Sequence, residues 1–334
     1  MREFAYERAT DAGQAVAAVL ADPEAVFLGA GTNLVDHLKL GITAPGRLVD
    51  VSRLPFDDVR ENPDGGVRIG SAVRNADLAA HPMIRARYPM LSAALLAGAS
   101  PQLRNLATTA GNLLQRTRCP YFQDPSTPCN KRDPGSGCSA IGGADRDHAI
   151  LGASEQCIAT HPSDMSVALV ALDAVVRVLG ADGVREIPAA DLHRLPGDEP
   201  ERDTVLGHGD LITAVDVPAL EWATKSAYRK VRDRASFAFA LVSVAAAVDI
   251  VDGRVRDARI AFGGVAHKPW RAHAAEAALR GRAATEENFA AAAAAELAAA
   301  RPQRHNAFKI ALARNVLVAT LRELTEREPT GKEA

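Results

Sequence analysis

The chain has 334 residues, 47% hydrophobic and 24% charged, with a net charge of −2 and only 4% aromatic residues. That length exceeds what a single core usually fills, so two or three domains are expected. A near-neutral charge and few aromatics supply neither the positive field nor the stacking surface that nucleic acid binds through, so no nucleic-acid partner is expected.

The chain opens with Glu3, Glu7 and Asp11 and without a basic stretch followed by an apolar one, unlike a signal peptide. Residues 11–22 have the Ala, Val and Leu content of a short helix, and Ala25–Leu28 is a β-type run that ends in Gly29, Ala30 and Gly31. Residues 34–40 read as a helix stopped by Gly41, and 47–51 as a second strand. Together they form a small α/β unit.

A strand is expected over 67–73, then alanine-rich helical stretches over 75–80 and 91–99, and a loop at 108–112. Helical periodicity resumes at Asp164. Strands at 174–179 and 211–217 then flank a Pro/Asp/Glu-rich stretch, 196–203, giving a second, α+β unit. A last unit begins near Glu221, with strands over 226–231, 241–251 and 254–263. Asp252-Gly253 is a hairpin signal between the last two. Helices follow over 272–281, 286–300 and 304–327. Glu286, Glu287 and Arg301 place charges at the ends of the second where the helix dipole favours them. The most apolar run, 237–250, contains Ser243 and Asp249 and is too short to span a bilayer. A cytoplasmic protein without membrane insertion is expected.

All four cysteines, Cys119, Cys129, Cys138 and Cys157, lie within 39 residues rich in Pro and Gly, spaced C-x9-C-x8-C-x18-C. Cysteines used as small core residues would scatter, so soft-metal ligation is the better reason for their confinement. Zinc sites usually take thiolates in close pairs, which are absent here. An iron–sulfur cluster also needs four thiolates, and its separate iron corners can be reached by long loops. Disulfides or free thiols are the remaining alternative. His161, four residues after Cys157, reads as an ordinary hydrogen-bonded residue or as a neighbour of such a site.

Two glycine loops carry the other signal. Gly29 to Asn33, after an apolar strand, offers open backbone N–H groups of the kind that cradle phosphate. The dinucleotide fingerprint G-x-G-x-x-G is broken at Leu34, so a plain strand-to-helix turn is the alternative. Thr108, Thr109, Ala110, Gly111 and Asn112 form the second loop.

These motifs, with His161-Pro-Ser-Asp164, Asp210 to Val215 and Tyr228-Arg-Lys-Val-Arg232 in the same order, resemble the FAD-binding subunit of molybdenum hydroxylases, the xanthine dehydrogenase and aldehyde oxidoreductase group. The cysteine segment between the second loop and Pro162-Ser163-Asp164 resembles the periplasmic-type aldehyde oxidoreductase branch, whose FAD subunit carries a [4Fe-4S] cluster. Ala110 departs from the family, which commonly has glycine there.

The resemblance implies an α+β fold: a two-part FAD-binding domain of the vanillyl-alcohol-oxidase type followed by a C-terminal α+β domain with a small antiparallel sheet and helices. The expected boundaries are 1–58, 59–220 with the cysteine insertion at 117–158, and 221–330. Val26, Phe27, Leu28, Gly29, Ala30, Gly31, Thr32, Asn33 and Leu34 are expected to wrap the FAD pyrophosphate, with Thr108, Gly111 and Asn112 opposite. Asp164 would accept from a ribose or ribityl hydroxyl, or else cap the helix that follows. Lys230, Ile212 and Arg118 are carried over as contacts in the flavin region, and the four cysteines as cluster ligands. No catalytic residue is expected.

The implied role is an electron-transfer oxidoreductase subunit that passes electrons through FAD to an external acceptor. Aldehyde or N-heterocycle oxidation would occur on a large molybdenum-cofactor subunit, with a small [2Fe-2S] subunit between. A signal-bearing partner would leave export of the folded complex open. The alternatives are a self-sufficient flavin oxidoreductase and a zinc-stabilised dinucleotide-binding scaffold.

Overall fold

A computed structural model describes residues 1–326. Strands β1 (Ala5–Arg8), β2 (Ala25–Leu28) and β3 (Arg47–Asp50) form a parallel sheet with β3 in the centre. Parallel neighbours need crossovers, which the helices Ala12–Leu20 and Leu34–Leu40 supply. The Asp11 carboxylate caps the first by accepting from Gln14 N–H, and Gly41 ends the second in the left-handed region at φ 72°.

The second sheet is antiparallel: β4 (Val59–Glu61), β5 (Val67–Gly70), β6 (Val175–Gly180), β7 (Gly183–Pro188) and β8 (Leu211–Val217), in the order β4-β5-β8-β6-β7. β5 is shorter than the expected 67–73, because Val73 N–H donates to Gly70 O and turns the chain out of the sheet. The helix expected at 91–99 runs over Pro89–Ala97, and an unexpected one, Pro82–Arg87, precedes it. Each begins on a proline, whose fixed φ and missing N–H suit the first helical position.

The third sheet is also antiparallel, in the order β12-β11-β10-β9, from β9 (Ser226–Val231), β10 (Val242–Val251), β11 (Arg254–Gly263) and β12 (Trp270–Arg271). Asp252 and Gly253 have φ of 49° and 70°, as the two-residue hairpin turn requires. β10 is covered on both faces. Val242, Val244, Ala246 and Val248 pack under the helices His273–Leu279, Glu286–Leu297 and Phe308–Glu326, whereas Ala245 and Ala247 join the core formed by Pro89–Ala97 and Asp164–Ala171. Alanines there let the helices of the second unit approach the sheet of the third. The last helix was expected over 304–327; it starts at Phe308, and residues 327–330 of the expected C-terminal unit lie outside the described residues.

The cysteine segment contains one short helix, Pro120–Gln123, and is otherwise turns. It is fastened to the C-terminal unit by Lys309. This lysine is fully buried, and its ammonium donates to Asp147 O at 2.9 Å, His148 O at 2.9 Å and Gly264 O at 2.7 Å. Lys309→Met leaves these carbonyls short of a donor and is expected to cost about 3 kcal/mol, read as a fall in the urea midpoint. An unchanged midpoint would remove the clamp from this account.

Candidate functional site

A cavity of about 600 Å³ opens where the three units and the cysteine segment meet. It is within the size range of small-molecule and cofactor sites. Thr32 and Asn33 line it from the first unit, Gly111, Asn112 and Asp164 from the second, and Phe239 and Gly263 from the third. The cysteine segment contributes Arg118, Cys119 and His148.

The two glycine loops are adjacent. A Cβ on Gly29 would lie 3.4 Å from Thr108 Oγ1, so this approach leaves little room for a side chain. Gly31 has φ 76°, and a Cβ there would lie 2.9 Å from Val35 Cγ2. Among the described residues, no acceptor is found for the backbone N–H groups of Ala30, Gly31, Thr32 and Asn33. Val26, Phe27 and Leu28 lie in β2, and Leu34 begins the next helix. The expected loop at 108–112 is mostly a helix, Thr109–Leu113, because the Thr108 hydroxyl caps it by accepting from Gly111 N–H at 3.2 Å. Asn112 Oδ1 accepts from Ser163 Oγ at 2.6 Å, which ties this element to the next.

Asp164 does not cap its helix. Ser163 does, by accepting from Ser166 N–H at 3.0 Å, and Asp164 is the first helical residue. Its carboxylate takes Lys230 Nζ at 2.7 Å and the Tyr228 hydroxyl. Burial raises the Asp164 pKa, with Lys230 and Tyr228 opposing that shift. Lys230 is itself buried and also donates to Ala97 O at 3.1 Å, so its ammonium is engaged behind the cavity wall. Ile212 is 2% exposed, in the core of β8.

Four buried polar atoms on residues lining the cavity have no hydrogen-bond partner among the described residues: Asn75 Oδ1, Arg118 Nε, His148 Nδ1 and Ser243 Oγ. Arg118 makes a cation–π contact with Phe239, 5.3 Å from the ring centroid, and burial lowers its pKa. A half-satisfied guanidinium in a cavity is costly unless an anion meets it.

The four cysteines are free and close enough to act on one another electrostatically. Cys129 and Cys138 face each other across an antiparallel bridge. Burial pushes the Cys119 thiol up to about 11 and the Cys157 thiol up to about 12. His148 Nε2 lies 3.2 Å from Cys119 Sγ. Among the described residues, no group of three or more His, Cys, Asp or Glu side chains could hold a single metal ion.

Asp203 anchors the segment. Arg116 Nε donates to one carboxylate oxygen and Lys131 Nζ to the other, and Lys131 also donates to Pro200 O at 2.7 Å. Burial pushes the Asp203 carboxyl up, but Arg116 and Lys131 outweigh it and hold its pKa below the usual carboxylate range. Arg116 N–H donates to Asn33 Oδ1 at 2.9 Å, linking the segment to the first glycine loop. Sequence reasoning missed Arg116, Lys131, Asp203 and His148. Only the density of Arg and Lys around the first two cysteines, and the acidic stretch 196–203, hinted at them.

Residues 2–220 match the family described as the FAD binding domain in molybdopterin dehydrogenase, and 226–324 match the CO dehydrogenase flavoprotein C-terminal domain. The chain is 51% identical, over 97% of its length and 98% of the relative's, to the aldehyde oxidoreductase FAD-binding subunit PaoB of Escherichia coli K12. The chain belongs to the family of FAD-binding subunits of molybdenum hydroxylases.

It is 28% identical to the glyceraldehyde dehydrogenase medium chain of Sulfolobus acidocaldarius, over 84% of this chain and 82% of the relative. Among solved structures, the carbon monoxide dehydrogenase of Hydrogenophaga pseudoflava superposes with TM-score 0.75 at 26% identity, covering 96% of each chain. The reconstituted CO dehydrogenase of Oligotropha carboxidovorans, at 21% identity and TM-score 0.76 over 98% of this chain and 99% of that one, shares the fold. The α+β class and the C-terminal antiparallel sheet expected from sequence are therefore found. This family member is an oxidoreductase subunit of the aldehyde oxidoreductase and xanthine dehydrogenase type with a FAD-binding domain. Among the described residues no helix is long and apolar enough to cross a membrane.

At the cavity wall, His161 packs against His193 with ring centroids 4.2 Å apart and the rings tilted by 54°, and its Nε2 lies 3.3 Å from Ser166 Oγ. His193 and His267 each bond a backbone carbonyl through one ring nitrogen, and their other ring nitrogens are buried without a partner. Burial lowers both to about 4. With folded pKa values below the unfolded 6.5, their contribution is fully present above about pH 6.5 and is lost as the pH falls towards 4, on the order of 2 kcal/mol each by pH 5. Urea midpoints are expected to fall between about pH 7.5 and about pH 5, and replacing both histidines with Gln should flatten the profile.

Proposed function

We propose that this chain is the electron-transfer subunit of a molybdenum-dependent aldehyde oxidoreductase, with FAD in the cavity and a [4Fe-4S] cluster on Cys119, Cys129, Cys138 and Cys157. The observation that carries this reading is that four free, neighbouring cysteines form a knot whose first member, Cys119, lines a cofactor-sized cavity. When bound, the cluster supplies one-electron and the flavin two-electron chemistry.

The chain's own residues suit both groups. The open N–H groups of Ala30 to Asn33 and the Thr32 hydroxyl would donate to the pyrophosphate, and Arg118, whose Nε has no hydrogen-bond partner, would add positive charge. Thr108, Gly111 and Asn112 would hold the opposite wall. Asp164, set by Lys230 and Tyr228, would accept from a hydroxyl of the cofactor. Ile212 would support the wall from the core.

Buried thiols with pKa values of about 11 and 12 become thiolates at neutral pH only when a metal centre supplies positive charge. A single zinc would need all its ligands about 2.3 Å from one point, whereas a cluster would take one thiolate at each of four separate irons, which widely spaced cysteines can reach one by one.

On this reading the units 1–58, 59–220 and 221–330 correspond to the three sheets. Aldehyde oxidation takes place on a large molybdenum-cofactor subunit, electrons arrive through a small [2Fe-2S] subunit, and an external acceptor receives them from FAD. The family membership and the aldehyde oxidoreductase named as a relative support this reading over a self-sufficient flavin enzyme.

The anaerobically purified chain is expected to hold about four iron, four sulfide and one FAD, and to turn over no aldehyde by itself. Cys129→Ser should lose most of the iron and keep the flavin. Zinc in place of iron, or aldehyde turnover by the pure chain, would overturn the proposal.

A further inference from the structure

His148 stands between the cysteine knot and the cavity. Its Nε2 is 3.2 Å from Cys119 Sγ, its ring borders the cavity, and its Nδ1 is buried and partnerless. The residue is 3% exposed, and its contact with the half-buried Cys119 is part-buried.

Its backbone is fixed from three sides. The His148 N–H donates to Asp145 O at 3.0 Å, and its carbonyl accepts from Asn306 Nδ2 at 3.1 Å and Lys309 Nζ at 2.9 Å. Asn306 and Lys309 are both 0% exposed.

An iron-bound cysteine sulfur carries no proton, so it can only accept. Nε2 must then be the N–H nitrogen, donating to Cys119 Sγ. We propose that His148 is a positioning residue that sets the reduction potential of the cluster by donating this hydrogen bond, and that it marks Cys119 as the cluster corner facing the flavin. This rests on the cluster reading above.

The physical reason is electrostatic. When the cluster gains one electron, part of the added negative charge spreads onto its ligand sulfurs. A fixed N–H donor stabilises that charge more in the reduced state than in the oxidised one and so raises the potential.

The test is a redox titration of the cluster, followed by electron paramagnetic resonance, in the purified holoprotein and in His148→Phe and His148→Gln. Phe fills similar space without a donor, whereas the Gln amide can donate. At a fixed solution potential, the reduced-to-oxidised ratio in His148→Phe is expected to fall about tenfold, equal to about 59 mV for one electron, with His148→Gln recovering part of the difference.

A second measurement needs no variant: pulsed resonance of the reduced wild-type cluster in protein labelled with ¹⁵N-histidine should detect coupling to a histidine nitrogen. Wild-type protein without iron and sulfide would overturn the cluster reading itself. A cluster present with no histidine coupling, or at the same potential in wild type and His148→Phe, would overturn only the role of His148. If His148→Phe fails to hold iron, the labelled wild-type protein decides: coupling supports the role and its absence overturns it.

Discussion

The site depends on one carboxylate. Asp203 receives Arg116 from the start of the cysteine segment and Lys131 from its middle, and so fastens a stretch with almost no secondary structure to the rest of the molecule. Lys131 is 2% exposed, and an unpaired ammonium there would cost several kcal/mol. Removing Asp203 would leave the buried Lys131 ammonium without its counter-charge, whereas Asp203 without Lys131 would still have Arg116. Cys129 lies two residues before Lys131, so the charge that orders the segment also fixes the middle of the cysteine knot. Lys131 also lowers the pKa of the Cys157 thiol against the effect of burial.

The same economy governs the larger architecture. β10 is buried on both faces, valines towards the C-terminal helices and alanines towards the helices of the second unit. Small side chains bring the second and third units into one packed body, and the cavity lies at their junction with the first. A site built from the ends of several elements has precise walls only if those elements are mutually fixed. Lys309 and Asn306, both fully buried, do this for the segment 147–149, and Asn33 with Arg116 N–H does it for the first glycine loop.

Local signals were legible in the sequence. Gly41 stops its helix, Asp252-Gly253 turns its hairpin, and the strand Ala25–Leu28 and the glycine loop after it stand where the apolar run and glycines placed them. The starts of Pro82–Arg87 and Pro89–Ala97 are marked in the sequence by their prolines. β7 was not readable, because its burial is nearly uniform along an exposed edge and gives no alternation. The confinement of the cysteines pointed to a shared site, yet the residues that make it work were hidden. Asp203 meets Arg116 across 87 positions and Lys131 across 72, and His148 meets Cys119 across 29. Such pairings follow from tertiary packing, which no local pattern encodes. Lys230 illustrates the reverse: a motif position legible in sequence whose charge is engaged by Asp164 in the folded chain.

The central claim is that the cysteine knot holds an iron–sulfur cluster against the wall of the flavin cavity. Anomalous diffraction from crystals of the anaerobically purified protein, collected on both sides of the iron absorption edge, tests it most directly. The account predicts one strong iron peak enclosed by Cys119, Cys129, Cys138 and Cys157, with flavin density in the adjacent cavity. No iron peak among the four sulfurs, or a peak that appears only at the zinc edge, would contradict it.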